Sequence, residues 1–230
     1  AFATELTVGA ANVSSYLDPG RDHSNVGSQF YYNAFDTLIA KNHDTTDTEW
    51  QPGLATEWKL VEPTIMELKL REGVKFHDGS EFNADAVIFN FDKLLDKDSP
   101  QFSARQGSLV NFRIPSIKSY RKIDDYTVEF TTYEPSSFVP YQLCYILIAS
   151  PTQWEKTGKD WNEFAKTPSG TGPWKLESLS PRESAEFVPF KAHWDESRVP
   201  KLDKVITIPI PDPNARTAAL LSGQVDWIEA

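Results

Sequence analysis

Apolar and polar positions along this chain switch repeatedly between a period of two and a helical period. Leu6 to Ala11 reads as a strand, and Leu17-Asp18-Pro19-Gly20 then turns the chain into a polar loop that runs to Ser28. Phe30, Ala34, Phe35 and Leu38 recur at helical spacing and predict a helix from about Ser28 to Ala40. From Glu67 to Phe76 the residues alternate around Arg71-Glu72-Gly73, the pattern of two half-buried strands joined by a tight turn. Asn83 is placed to cap a helix whose Val87, Phe91, Leu94 and Leu95 share one face, with Asp85 at the positive end of its dipole. That helix stops where Lys93 to Pro100 becomes charged and reaches a proline.

Further on, Tyr126 to Thr132 alternates with Val128 and Phe130 on one face, a strand, and Leu143 to Ala149 reads as a buried strand. Trp161 to Gly172 is polar and rich in turn formers, a connecting loop. Asp212-Pro213 opens a short helix that Gly223 can end, and Val225 to Ile228 follows as a strand. Helices and strands interleave throughout, so the class is α/β or α+β. No internal repeat or low-complexity tract interrupts them.

Composition narrows the function. With 230 residues, 40% hydrophobic and 24% charged, the chain can bury a sizeable core without disulfides or metals. Its 23 Lys and Arg against 33 Asp and Glu give a net charge of -10, which repels nucleic acid and anionic lipid. The apolar run from Leu143 is far shorter than the roughly 20 residues of a membrane span. Cys144, the single cysteine, has apolar neighbours and reads as a buried, inert thiol. Ala1-Phe2-Ala3 matches the small-residue end of a cleaved export signal.

Catalytic motifs are scarce. The chain has no G-x-S-x-G elbow, phosphate-binding G-x-x-x-x-G-K-[ST] loop or H-E-x-x-H helix. His23, His43, His77 and His193 are far apart in sequence and form no local metal-ligand spacing, so neither a metal nor a cofactor is expected. His77-Asp78 has the residue types of a dyad, but adjacent residues on an extended chain point to opposite faces, and a turn with a surface histidine is the simpler reading. The seven tryptophans invite a sugar-stacking role, against which stands the ordinary use of large aromatics in cores.

Three blocks carry a resemblance. Leu70 to Val87, reading L-R-E-G-V-K-F-H-D-G-S-E-F-N-A-D-A-V, resembles the signature of the peptide/nickel-type (family 5) bacterial extracytoplasmic solute-binding proteins of ABC importers. Gly170-Thr171-Gly172-Pro173-Trp174-Lys175-Leu176 resembles that family's G-T-G-P-[YW] segment. Lys201-Leu202-Asp203-Lys204, followed by Ala218 to Trp227, resembles its later helix-to-strand block, and Leu17-Asp18-Pro19 and Leu54 to Trp58 also fit.

The resemblance implies an α/β, type II-like periplasmic binding protein that closes on its ligand by a hinge. It implies that residues 1–36 and 153–230 form the base of the first lobe, a mixed sheet flanked by helices. An α+β subdomain over 37–152 would be inserted between them, and the second lobe would be absent from the chain. A small solute would be captured and passed to a membrane permease by a monomeric periplasmic or membrane-anchored protein, without catalysis. Peptides, opine-like conjugates, oligosaccharides and metal chelates all remain open as ligands.

By the same resemblance, the loop after the first strand contacts the ligand, which points to His23, Ser24 and Asn25; the end of the V-D-W strand points to Glu229. A polar loop between strand and helix is independently a common place for binding groups, and equally a common solvated loop. Arg105, in the loop after the helix that ends near Leu95, either faces the cleft or makes a surface ion pair. The rival reading is a hydrolase or glycosidase with paired carboxylates, Asp124 and Asp125 or Glu183 and Glu186. A sensory domain fused to a regulator would need a basic helix-turn-helix, which is missing from the sequence.

Overall fold

The computed structural model describes residues 4–19, 21, 25–41 and 50–229. In chain order the elements are β1 (Glu5–Ala10), α1 (Asn25–Ala34), β2 (Ile39–Lys41), β3 (Trp50–Pro52), β4 (Ala55–Glu62), β5 (Ile65–Leu70), α2 (Ala84–Leu95) and α3 (Ala104–Val110). Then follow β6 (Ile117–Asp124), β7 (Thr127–Thr132), α4 (Val139–Leu143), α5 (Pro151–Lys156), α6 (Trp161–Phe164), β8 (Trp174–Ser180), β9 (Ser184–Pro189), β10 (Lys204–Pro209), α7 (Pro213–Leu221) and β11 (Trp227–Ile228).

These strands make a five-stranded sheet in the order β11-β1-β10-β9-β8, a four-stranded sheet β4-β5-β7-β6 and the small pair β2-β3. In the larger sheet β10 and β11 run parallel to β1, while β9 and β8 are antiparallel additions at one side. The four-stranded sheet is wholly antiparallel.

Each sheet has its own apolar cluster. Phe30, Ala34 and Phe35 of α1 and its exit pack with Leu176, Ala185 and Phe187 of the larger sheet, together with Trp154 and Phe164. The Phe30 and Phe187 rings stack at 5.9 Å. On the smaller sheet the alternation of β5 buries Met66, Leu68 and Leu70, and α2 lays Phe91 4.8 Å from Phe130 of β7. Asn83 caps α2 by accepting the Ala86 amide, as the sequence predicts. The β4 edge is lined with exposed or half-exposed Glu57, Lys59 and Glu62, charges that discourage pairing with another chain.

Several sequence expectations are corrected. The helix expected to reach Ala40 ends at Ala34, because the Ala34 carbonyl accepts the Gly172 amide instead of continuing the helical ladder. No second strand follows Gly73; Val74 to Phe82 is a compact loop held by Phe76–Ser80 and Phe82–Val74 backbone bonds and one Lys75–Glu81 bridge. Leu143 to Ala149 is buried but forms no strand. Its backbone groups are satisfied by the Asp36 carbonyl and by the amide side chain of Asn90, which both donates to and accepts from Ala149. Within the expected loop after Trp161, a short helix forms because Asp160 caps it. The last strand is shorter than expected, Trp227–Ile228.

Candidate functional site

Three parallel strands, β1, β10 and β11, bring their carboxyl ends together at Ala10, Pro209 and Ile228. In open α/β sheets ligands bind outside such carboxyl ends. The sheet closes tightly there: a Cβ on Gly9 would lie 3.2 Å from the Ile210 side chain and 3.4 Å from that of Ile228.

Glu229, one residue past β11, ties these ends together. Its amide donates to the Gly9 carbonyl, and its carboxylate accepts the Ala11 amide at 2.9 Å and the Gln29 side-chain amide of α1 at 3.1 Å. Arg216 of α7 is buried beneath them. Its Nε donates to the Glu229 carbonyl at 3.1 Å and its Nη1 to the carbonyls of Ile210 and Pro211 at 2.8 and 3.0 Å. One guanidinium thus joins the chain leaving β10 to the chain leaving β11. A carboxylate has about four lone-pair positions and only two are used, so Glu229 can still accept from a ligand amine or amide.

Gln29 connects this end to a cavity of about 230 Å³ between α1 and the sheet, lined by Phe30, Asn33, Trp174, Phe187 and Val205. That is below the roughly 300–1,000 Å³ of ordinary ligand pockets.

Of the sequence-predicted residues, Glu229 stands at the strand ends and Asn25 opens α1, one turn before Gln29. His23 and Ser24 lie outside the described residues, as does the Ala1-Phe2-Ala3 terminus. Arg105 is not in a loop, as expected, but exposed on α3, and it makes no ion pair among the described residues. Gln29 and Arg216 were missed. No local pattern marks Gln29; Arg216, four residues after the Asp212 cap, reads as an ordinary helix position until the strand ends curl around it.

The turn before the predicted contact loop is anchored internally. Asp18, fully buried, accepts from Lys93 Nζ at 2.5 Å and from the Gln106 amide. Lys93, also buried, lies 3.5 Å from the Trp161 ring and donates to the Pro19 carbonyl. Burial pushes the Asp18 carboxyl up and the Lys93 ammonium down, and their contact opposes both shifts.

The motif blocks meet each other. His77 is not on the surface, as the sequence reading had it, but 7% exposed; its amide donates to Gly170 O and its Nε2 to Gly172 O at 2.9 Å. Asp78 accepts from Ser80 and Ser150 rather than from His77. Thr171, Trp194 and Arg198 all donate to the buried Asp36 carboxylate. Burial would raise that carboxyl, but hydrogen bonding with His193, the Arg198 charge and the Trp194 indole overcome it and hold it at about 2. These groups are consumed in joining the two sheets.

Burial pushes His77 down to about 4, against a hydrogen bond to Gly172 that works the other way. The folded state therefore prefers neutral His77, whereas an unfolded histidine takes up its proton near about 6.5. This contribution is fully present above about 6.5 and is lost as pH falls to about 4, up to roughly 3 kcal/mol. Denaturant midpoints measured at pH 7, 5.5 and 4.5 should fall more steeply in the wild type than in His77→Gln; parallel curves would refute the assignment.

The rival carboxylate pairs are engaged locally. Asp124 accepts the Tyr126 amide in the β6-β7 turn, and Asp125 pairs with Lys122 at 2.7 Å. Glu186 of β9 pairs with Lys204 at 3.0 Å, and Glu183 is exposed in the turn before that strand. Among the described residues no group of His, Cys, Asp and Glu is arranged to hold a metal ion, and no helix is long and apolar enough to cross a membrane.

Comparison with known proteins gives a consistent picture. Residues 49–230 match the family model described as bacterial extracellular solute-binding proteins, family 5. The glutathione-binding protein GsiB of Shigella flexneri is 35% identical over 162 residues, covering 70% of this chain and 30% of that protein. Heme-binding protein A of Haemophilus influenzae is 30% identical over 220 residues, 89% of this chain and 39% of the relative. Among solved structures, the DppA periplasmic binding protein of Helicobacter pylori in complex with the peptide STSA superposes with a TM-score of 0.85 at 28% identity. That match covers 97% of this chain and 46% of that one. The chain thus spans less than half the length of each of these relatives.

Proposed function

This chain belongs to the family 5 bacterial extracellular solute-binding proteins, and from that membership we propose that it contributes one wall of a solute-binding cleft serving an ABC importer. The relatives cited above are binding proteins by name. The protein would act as a monomer outside the cytoplasmic membrane, capture a small polar solute without altering it, and pass it to a permease. Its base would be residues 1–36 and 153–230, carrying the strand ends, with 37–152 as an inserted subdomain.

The observation that carries this reading is the gathering of Glu229, Gln29 and the start of α1 at the carboxyl ends of parallel strands. Glu229 would accept a solute N–H, with His23, Ser24 and Asn25 as further contacts. Because Arg216 holds the Glu229 carbonyl, solute contact at the carboxylate bears directly on the chain leaving β11. Arg105 is retained only as a peripheral contact, since it is exposed on α3.

The full-length protein, incubated with a tetrapeptide, glutathione, an opine and haem, should take up one of these stoichiometrically in native mass spectrometry, with no product formed. Glu229→Gln should weaken that solute about tenfold, the loss of one charge-assisted hydrogen bond. Saturation should also shift tryptophan emission, since Trp174 lines the cavity beside Gln29 and Trp227 is 53% exposed on the edge strand β11. Turnover of a substrate, or uptake of none of the four, would overturn the proposal.

A further inference from the structure

Arg113 carries a buried donor that the fold leaves unsatisfied. In a chain with 33 acidic residues, it makes no ion pair among the described residues, and its Nε is buried with no hydrogen-bond acceptor. Its guanidinium lies 4.4 Å from the Tyr145 ring centroid and 5.0 Å from that of Phe112, so two aromatic rings flank the fork. A buried donor without an acceptor costs about 1–3 kcal/mol.

The surroundings suit an anion. Tyr145 donates to the Tyr141 hydroxyl at 2.8 Å, and the Tyr141 proton has no acceptor among the described residues. Lys41, at the end of β2, is exposed, makes no ion pair among the described residues, and pairs in register with Trp50, whose ring lies 5.7 Å from that of Tyr141. Phe112 is 65% exposed and Tyr32 of α1 42% exposed, apolar surface beside the two cations. Tyr32 donates to the Cys144 carbonyl, which ties this patch to the helix that also carries Gln29. Tyr145 further lines a small cavity with Pro19 and Lys93, at the root of the loop expected to contact the solute.

We propose that Arg113, assisted by the Tyr141 hydroxyl and Lys41, is a carboxylate-binding site of this lobe, taking an acid group borne on an apolar body. The assignment rests on the solute-binding reading: Glu229 would receive the nitrogen-bearing end of a solute and Arg113 its acid. A planar guanidinium beside aromatic rings matches the two oxygens of a carboxylate, which a lysine cannot reproduce.

The test uses the full-length protein labelled with ¹⁵N-arginine, with the Arg113 Nε–Hε signal identified by its loss in Arg113→Lys. Benzoate should shift that signal saturably with a roughly millimolar midpoint, whereas benzamide and chloride at equal concentration should not. No shift, or an equal shift with benzamide, would overturn the proposal. In parallel, Arg113→Met should weaken the captured solute's free acid about tenfold and leave its primary amide unchanged; equal losses for both would reveal a merely structural role. Failure of the solute-binding reading itself would appear separately, as no uptake in native mass spectrometry even where benzoate moves the arginine signal.

Discussion

Lys93→Met is expected to destabilise the protein by about 3–5 kcal/mol, because it strands the Asp18 carboxylate without its counter-charge in a site where both side chains are buried. Gln106 would remain as a donor, but an amide cannot balance a charge. The converse change, Asp18→Leu, strands the ammonium and should cost a similar amount. Together, Asp18→Leu and Lys93→Met should recover most of the loss, since replacing a whole buried pair by apolar groups is often neutral. Urea midpoints of the two single variants and the double variant make the check. A cost below about 1 kcal/mol for either single change would show that the site takes in water and that the pair is effectively at the surface.

A second large effect is expected at Gly170. A Cβ there would lie 2.2 Å from the Ala34 carbonyl oxygen and 2.4 Å from the Phe35 ring; at Gly172 it would lie 2.4 Å from the Asn33 carbonyl oxygen. The obstacle is backbone, which cannot rotate aside as a side chain can. Gly170→Ala should therefore cost about 3 kcal/mol or more, at or above the upper end of ordinary overpacking. It should also loosen His77, whose amide is bound to the Gly170 carbonyl. Gly73→Ala is the natural comparison: its φ is +73° with open space around it, so only the left-handed backbone is penalised, by about 1–2 kcal/mol. Thermal midpoints that rank Gly73→Ala as the more damaging would refute the close-approach argument.

These two predictions bear on how the motif blocks are to be read. Leu70 to Val87 and Gly170 to Leu176 carry the resemblance, yet where they meet they are mainly structural: His77 bonds both glycine carbonyls, and Thr171 bonds Asp36. The main solute contacts proposed above fall outside them, at Glu229 and Arg113. Resemblance in such blocks therefore reports the family and its fold more directly than it reports the ligand.

Local physics made much of the framework legible in the sequence. The Asn83 cap and the Asp212-Pro213 start were readable because a cap acts within three residues of itself. The burial of β5 and of the Phe91 face of α2 followed from periodicities of two and 3.6. The α/β class and the family were likewise in the order of residues. Tertiary structure alone decided where α1 stops, because its terminal carbonyl is taken by Gly172, far along the chain. It alone paired Asp18 with Lys93, set Arg216 beneath three carbonyls and left Arg113 Nε with no acceptor among the described residues. These outcomes depend on which distant groups compete for the same buried donor or acceptor, and no local pattern of residues encodes that competition.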